Sequence, residues 1–395
     1  MSLLAKFAAV EEARRALGEA DPADTVIERL ESATLGVING RLTVLAGTNN
    51  YLGMTFDSQA IEAGRYALAE AGTGTTGSRM ANGTYAAHVA LEAELADFYG
   101  YPAAVAFSTG YAANLGALSA LLGADDAVLL DADAHASLFD GCRLSAADLY
   151  TFRHNDPASL DRRLRRLGAR AQNALVVVEG LYGVLGDRAP LADIAAVKDR
   201  HGACLLVDEA HSLGVVGAEG RGVVEEAGVM DQVDFVVGTF SKSLGTMGGF
   251  CASRHKELAL FPYASRPYMF TASPSPATVA STRAALRTLR ARPELRTRLW
   301  RNASRLHHGL SELGLDLGEA ASPVMSVRLR RREDALAAWN GLLAEGVYVN
   351  LFLPPAAPGG GSLLRMSVSA AHTDDQLDCI VAAVAKVMQA LGALD

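Results

Sequence analysis

The 395-residue sequence contains only four cysteines, five lysines and no long apolar run. The cysteines lie far apart without a C-x-x-C pair, which excludes a cysteine-based zinc module and favours reduced thiols in a cytoplasmic protein. No apolar stretch approaches the roughly 20 residues that a transmembrane helix needs, so no integral membrane segment is expected. Charges interrupt the first apolar stretch, which predicts an N-terminal amphipathic helix instead of a signal peptide.

Excess basic charge is also missing. The net charge of −8 argues against a general nucleic-acid-binding protein, which needs a basic face. Two arginine clusters, at 162–166 and 328–332, predict solvated faces, with docking of a phosphate-bearing or acidic carrier partner as the alternative. No cluster of histidine and cysteine has the spacing of metal ligands, so we expect no metal site.

Short apolar runs alternate with helix-like stretches through the middle of the chain. Each run stops at a small or polar residue: AAVAF before Ser108, AVLL before Asp131, ALVVV before Glu179, ACLLV before Asp208 and DFVV before Gly238. This pattern predicts an α/β fold with a mainly parallel sheet flanked by helices. Because ligands of such sheets bind beyond the carboxyl ends of the strands, we expect one site assembled from several strand ends.

Changes of pattern along the chain predict three parts. Residues 1–55 indicate an N-terminal arm with short strands, and residues 56–285 indicate the large domain that carries the site. Residues 286–395, with long helical stretches and three apolar segments, indicate a smaller C-terminal α/β domain. The GTGTTG motif at 72–77 follows a helical pattern instead of a strand, which excludes a dinucleotide-binding loop there.

An acid and an amine follow neighbouring predicted strands, at Asp208 and Lys242. By themselves they indicate an ordinary salt bridge. A lysine can also form a Schiff base with pyridoxal 5'-phosphate, while a carboxylate pairs with the ring nitrogen. His211 is spaced to reach the phenolic oxygen of that cofactor, and Thr239 and Ser241 flank the lysine with hydroxyls suited to a phosphate. The combination favours the cofactor.

Two further segments support a cofactor site. STGYAAN (108–114) is a predicted strand-to-helix turn whose backbone N–H groups suit the same phosphate. His135 follows another strand, where its imidazole suits stacking on the pyridine ring. Each histidine alone is more typical of a structural role. Jointly, on neighbouring strand ends, they predict pyridoxal-phosphate binding.

Ordered sequence blocks cover nearly the whole chain, including TNNYLGMTFD, GSRMANGT, FSTGYAANLG, DADAHASLFDGC, VDEAHSLG, GTFSKSLGTMGGF, RPYMFTAS and LLRMSVSAAHT. In these blocks the sequence resembles the α-oxoamine synthases, a family of fold-type I pyridoxal-phosphate enzymes. The resemblance implies that Lys242 is the Schiff-base lysine, Asp208 the partner of the ring nitrogen, His211 the partner of the phenolic oxygen and His135 the stacking residue.

The resemblance also implies the remaining contacts. Gly110 and Tyr111 would contact the cofactor together with Thr239 and Ser241, and Thr271 would reach the phosphate from the neighbouring subunit of a homodimer whose active sites lie at the interface.

Two residues are expected to bind the substrate. Asn50 and Arg365 would receive the carboxylate of an amino acid, a task that suits a bidentate guanidinium.

The expected reaction is a decarboxylative condensation of an amino acid with an acyl thioester. The most similar branch uses L-serine and a long-chain, palmitoyl-like thioester, and releases an α-amino ketone, CO₂ and the free thiol. The chain departs from the usual pattern at Gly183, where a serine is common, and at Leu353 and Ala357 in LPPAAP, where an arginine and a threonine are common.

Three alternatives remain open. The first is a sister synthase that uses glycine or alanine, or an acyl-carrier-protein donor instead of coenzyme A. The second is transamination or aldol cleavage on the same scaffold. The third, an inactive partner subunit, is disfavoured because Lys242 is present.

Overall fold

The computed structural model describes residues 3–18, 21–318, 320–354 and 357–392. Its strands are β1 (Arg29–Leu30), β2 (Leu35–Ile38), β3 (Arg41–Leu45), β4 (Ala103–Phe107), β5 (Ala127–Asp131), β6 (Asp148–Phe152), β7 (Ala174–Glu179), β8 (Cys204–Asp208), β9 (Phe235–Thr239), β10 (Gly249–Ser253), β11 (Val324–Leu329), β12 (Val347–Tyr348), β13 (Asn350–Phe352) and β14 (Ser362–Ser367). Its helices are α1 (Phe7–Arg15), α2 (Ser58–Ala71), α3 (Ala86–Tyr99), α4 (Gly110–Leu121), α5 (Ala136–Leu144), α6 (Pro157–Leu167), α7 (Leu191–His201), α8 (Val223–Glu226), α9 (Phe261–Ala264), α10 (Arg266–Met269), α11 (Pro276–Ala291), α12 (Glu294–Ser311), α13 (Arg332–Ala344) and α14 (Asp374–Ala390).

The described chain forms two compact units. One takes its residues from Asn50–Gly183 and Asp187–Arg298, and the other from Met1–Asn49, Val184–Gly186 and Leu299–Asp395. The division at 1–55, 56–285 and 286–395 stays a prediction.

A seven-stranded sheet with the order β4-β10-β9-β8-β7-β5-β6 forms the centre of the first unit. Strands β6, β5, β7, β8 and β9 pair in parallel, whereas β10 is antiparallel to both β9 and β4. The predicted α/β class with a mainly parallel sheet is confirmed. As a result, β4, β5, β7, β8 and β9 all end at the same edge of the sheet.

Continuous apolar runs form the buried strands of this sheet. Every residue of β5, β7 and β9 is buried, as expected for parallel strands with both faces covered. Apolar side chains of β4, β5, β7, β8 and β9 pack with α4 and α5 in one core. Helix α4 begins where Thr109 Oγ1 accepts a hydrogen bond from Ala112 N at 2.9 Å, which fixes the helix start beside the end of β4.

The second unit contains two small sheets. Strands β1-β2-β3-β12 form one, and the antiparallel strands β11-β14-β13 form the other. Helix α14 begins with a capping box in which Thr373 and Gln376 bond reciprocally to each other's backbone N–H groups. Among the described residues, no helix combines the length and the apolar character needed to cross a bilayer.

Candidate active site

The strand ends surround one cavity of about 250 Å³, which we call the cofactor cavity. Its lining includes eight of the residues singled out from the sequence, namely Gly110, Tyr111, His135, Asp208, His211, Thr239, Ser241 and Lys242. It also includes Thr109, Asn114, Ser137, Glu179, Ala210, Val237 and Gly238. The sequence-predicted groups therefore converge on a single site, while their individual roles stay predictions.

Asp208 is the last residue of β8 and is only 4% exposed. Its Oδ2 accepts a hydrogen bond from Asn114 Nδ2 at 2.7 Å, and its Oδ1 accepts one from Ala210 N at 2.9 Å. Asn114 Nδ2 donates also to Ser137 Oγ at 2.9 Å, whereas the buried Asn114 Oδ1 has no hydrogen-bond partner. The carboxylate of Asp208 is thus held in one orientation inside the cavity.

Two histidines border the cavity in different settings. His135 Nδ1 and Ser137 Oγ lie 2.7 Å apart, and Ser137 N donates to the same ring nitrogen at 3.2 Å. Burial lowers the pKa of His135 below its ordinary value, and the nearby amine of Lys242 adds to this, while Asp208 opposes it. His211 Nδ1 lies 2.7 Å from the hydroxyl of Tyr51.

The absence of a side chain at Gly183 makes room for the imidazole ring of His211. A Cβ at this position would overlap the His211 imidazole, with Nε2 as the nearest atom. The departure from serine at 183 therefore leaves space that the ring of His211 occupies, in addition to removing a hydroxyl.

At one end of the cavity, the hydroxyls of Thr239 and Ser241 lie between the end of β9 and the start of α4. Thr239 Oγ1 lies 2.9 Å from Ser241 Oγ and donates to Gly248 O at 2.9 Å. A Cβ at Gly110 would lie 2.9 Å from Thr239 Cβ, so only glycine lets the first turn of α4 approach this close. Two hydroxyls and the N-terminus of a 12-residue helix thus face one place, which suits a phosphate group.

The donor set fits pyridoxal phosphate. The cavity offers a primary amine at Lys242, a carboxylate at Asp208 for a protonated ring nitrogen, an imidazole at His135 and a hydroxyl-lined helix start for the phosphate. Within the described ranges, no three or more His, Cys, Asp or Glu side chains are arranged so that they could hold a metal ion.

Three of the predicted residues are not among those described as lining the cofactor cavity. Thr271 borders a small cleft with Arg79 and Tyr268. Asn50 is 8% exposed and donates from Nδ2 to Thr55 Oγ1 at 2.7 Å.

Arg365 belongs to the other unit, on β14. It is 2% exposed, and its Nη1 donates to Ser367 Oγ at 2.6 Å. The roles proposed for Asn50, Arg365 and Thr271 stay predictions.

The sequence analysis missed Asn114, Ser137, Glu179 and Tyr51 as site residues. Glu179 was recognisable, because it ends a buried strand beside Asp208. Asn114 was recognisable as a polar residue on an otherwise small and apolar helix. Ser137 and Tyr51 depend on side-chain contacts that no local pattern reveals.

The sheet topology, with a lysine and an aspartate at adjoining strand ends in one cavity, defines a fold-type I pyridoxal-phosphate transferase. The chain belongs to the class I and II aminotransferase family, whose model matches residues 44–384.

Individual relatives resemble the chain more closely than the general family model does. The chain is 54% identical to the serine palmitoyltransferase of Caulobacter vibrioides over 100% of this chain and 98% of that protein. It is 47% identical to that of Sphingomonas paucimobilis over 99% of this chain and 94% of the relative. It is 40% identical to the 8-amino-7-oxononanoate synthase of Anaeromyxobacter dehalogenans over 89% of this chain and 88% of that one.

Solved structures agree with these relatives. The serine palmitoyltransferase of Sphingomonas wittichii superposes with a TM-score of 0.97 at 48% identity, and both chains are covered completely. A high-resolution structure of SPT with PLP superposes with the same TM-score of 0.97 at 47% identity, again over both complete chains.

Proposed function

We propose that this chain is a pyridoxal-phosphate-dependent acyltransferase that condenses L-serine with a long-chain acyl thioester. The products are an α-amino ketone of the 3-ketodihydrosphingosine type, CO₂ and the free thiol. One observation carries the proposal: Lys242 and Asp208 line the same cavity at the ends of a buried sheet. The likeness to serine palmitoyltransferases along the whole chain supports the choice of substrates.

When bound, pyridoxal phosphate would supply an electron-withdrawing ring that stabilises negative charge at the amino-acid Cα. Lys242 would hold the cofactor through its aldehyde, and Asp208 would keep the ring nitrogen protonated. Asn114 supports this task because its side-chain amide donates a hydrogen bond to Asp208 Oδ2 and so holds the carboxylate in place. Thr239 and Ser241 would bind the phosphate at the start of α4.

The protein groups would also move the protons. The amine of Lys242 takes the Cα proton of the amino acid, a general-base step that a positioned primary amine can perform. Arg365 and Asn50 are proposed to hold the amino-acid carboxylate. His135 and His211 would align the ring by stacking and by a hydrogen bond to its phenolic oxygen, respectively.

The bond changes balance. Cα forms a bond to the thioester carbonyl carbon, and the thiolate leaves and takes a proton. The bond from Cα to the carboxylate then breaks, CO₂ leaves and Cα is reprotonated.

We infer that the working enzyme is a homodimer located in the cytoplasm. Phe270, which precedes Thr271, is 74% exposed, and Tyr263 and Met247 are 72% and 58% exposed. Such exposed apolar residues favour a protein–protein contact. Light scattering coupled to size exclusion tests the dimer. The four cysteines are free thiols, which supports a reducing compartment.

A sister synthase is the second candidate, supported by the likeness to 8-amino-7-oxononanoate synthase. The two candidates differ in substrate specificity, and Leu353 and Ala357 depart from the usual serine-specific pattern. Leu353 is half-buried and Ala357 is 5% exposed, while Pro355 and Ala356 of the same LPPAAP segment lie outside the described residues.

A substrate matrix tests the proposal. Serine, glycine and alanine are each combined with short and long acyl thioesters, as coenzyme A and carrier-protein derivatives, and products are identified by mass spectrometry. The proposal predicts a product only, or most rapidly, with serine and a long chain. A faster reaction of glycine or alanine with another donor would establish the sister synthase. Keto-acid formation without a thioester, and without CO₂ release, would indicate transamination.

A further inference from the structure

Two carboxyl groups end neighbouring strands inside the cofactor cavity. Glu179 is the last residue of β7, and Asp208 is its direct partner in the parallel register with β8. Both are buried, at 6% and 4% exposure, and both line the cavity. The proposed function assigns a task to Asp208 and none to Glu179.

The two acids have different hydrogen-bond partners. Asp208 accepts bonds from a backbone N–H and from the amide of Asn114, as a carboxylate does. Glu179 uses Oε1 to accept a bond of 2.6 Å from the backbone N–H of His135. That bond fixes the backbone at His135, which is the histidine expected to stack on the cofactor and also the N-cap residue of α5.

The surroundings disfavour a second negative charge. The charged and titratable groups facing Glu179 are Asp208 from β8, Asp131 from β5, the hydroxyl of Tyr182 and the amine of Lys242. Burial raises the pKa of Glu179 well above its ordinary value, and the negative charge of Asp208 raises it further. Lys242 and the hydrogen bond from His135 N oppose this shift without cancelling it. Two carboxyl groups so close in a low-dielectric site do not both ionise near neutral pH.

We propose that Glu179 is a positioning residue that works as a neutral carboxylic acid: its Oε1 holds the backbone of His135, and its lack of charge leaves Asp208 as the single carboxylate for the cofactor ring. This inference deepens the proposed function and rests on its cofactor. An ionised Glu179 would compete with Asp208 for the protonated ring nitrogen of the cofactor.

The test compares Glu179→Gln, which keeps an uncharged acceptor for His135 N, with Glu179→Ala, which removes it. Circular dichroism first verifies that both variants fold. Infrared difference spectra between the wild type and each variant, recorded without cofactor, then show whether a C=O stretch of a protonated carboxylic acid is present. Glu209→Gln serves as the control, because Glu209 is a second buried carboxyl whose pKa is raised, to about 7, chiefly by burial.

Cofactor binding provides the second readout. The dissociation constant is measured by visible absorbance without either substrate, over a range of pH. We expect Glu179→Ala to raise it about tenfold, the effect of losing one buried hydrogen bond. Glu179→Gln should recover most of that loss. In the wild type, affinity should weaken as the pH rises through the titration of Glu179, and Glu179→Gln should lack this step.

The outcomes separate clearly. A protonated-acid band at pH 7 that Glu179→Gln removes and Glu209→Gln leaves in place supports the proposal, as does recovery by glutamine. Absence of that band, or equal losses in Glu179→Gln and Glu179→Ala, would overturn it. Because neither readout needs a substrate, a wrong substrate assignment would leave this test intact.

Discussion

Two histidine–carboxylate clusters lie at the carboxyl edge of the same sheet and differ in how their charges are satisfied. In the His154 cluster (Asp131, His154 and Asp187), one ring nitrogen lies 2.8 Å from Asp131 Oδ1 and the other 2.6 Å from Asp187 Oδ2. In the cofactor cavity, His135 contacts the hydroxyl of Ser137 and no carboxylate oxygen is bonded to its ring among the described contacts.

The pKa shifts follow from this difference. Burial alone would lower the pKa of His154, but the hydrogen bonds and charges of Asp131 and Asp187 outweigh it and raise the pKa to about 10. Burial lowers the pKa of His135. The same residue types therefore yield a self-contained ion network in one place and an uncharged ring beside an open cavity in the other. Charged groups that pair with one another, as in the His154 cluster, stabilise the fold. Titratable groups that line a cavity are available for chemistry.

The largest effect is expected at Lys242. Lys242→Arg keeps the positive charge but cannot bond to an aldehyde, so turnover and the visible absorbance of the bound cofactor should both disappear. Lys256→Arg, at an exposed position, should preserve both. Measurable turnover by the arginine variant would show that charge, and not the primary amine, is what the cavity needs.

A smaller loss is expected at Asp208. Asp208→Asn removes the charge that keeps the ring nitrogen protonated, so kcat should fall roughly 10²- to 10³-fold, in the range of other lost electrostatic contacts. Steady-state kinetics of the variant, beside Asp125→Asn on the surface, measure this. If the two asparagine variants behaved alike, Asp208 would be a structural acid like those of the His154 cluster.

Gly183 tests the close packing of the cavity wall. Gly183→Ala should displace the His211 ring and weaken its 2.7 Å contact with Tyr51, lowering kcat/KM by about tenfold. Gly123→Ala is the matched control, since a Cβ there meets only Asp126 at an ordinary 3.6 Å. Full activity of Gly183→Ala would mean that His211 moves freely and does not align the cofactor.

The His154 cluster should matter for stability and hardly at all for turnover. Because the folded pKa of about 10 exceeds the unfolded value, the stabilisation is complete below pH 6.5 and is lost as the pH rises through 10. His154→Gln should lower the free energy of unfolding by about 3 kcal/mol at pH 7 and flatten this pH dependence.

Urea denaturation at several pH values measures this effect, with His308→Gln as the exposed control. At permissive temperature kcat should change less than about twofold, because none of the three cluster residues lines the cofactor cavity. A large loss of kcat with unchanged stability would place His154 in the chemistry and remove the contrast between the two clusters.

Much of the sheet was predictable because β5, β7, β8 and β9 are continuous apolar runs that end at polar residues. Strand β6 escaped the sequence analysis because it is an edge strand with mixed exposure, which gives no continuous run. Strand β10 escaped because its residues are small and its antiparallel direction depends on tertiary pairing.

The candidate site was predictable where chemistry demands a residue type. Lys242 and Asp208 stand out because an amine and an acid at adjoining strand ends suit one cofactor. Asn114, which orients Asp208 across 94 positions of sequence, depends on a long-range contact and was not recognisable as a partner. The His154 cluster likewise joins residues from three separate segments, the end of β5 and the loops after β6 and β7. No local pattern distinguishes its histidine from His135.

The most direct test of the cofactor cavity is to locate the cofactor on the chain. Borohydride reduction of the loaded protein converts an imine to a stable secondary amine, and peptide mass spectrometry then identifies the modified lysine. We expect the added mass on the peptide that contains Lys242, and on none of the peptides with Lys6, Lys198, Lys256 or Lys386. Modification of another lysine, or of none, would contradict it.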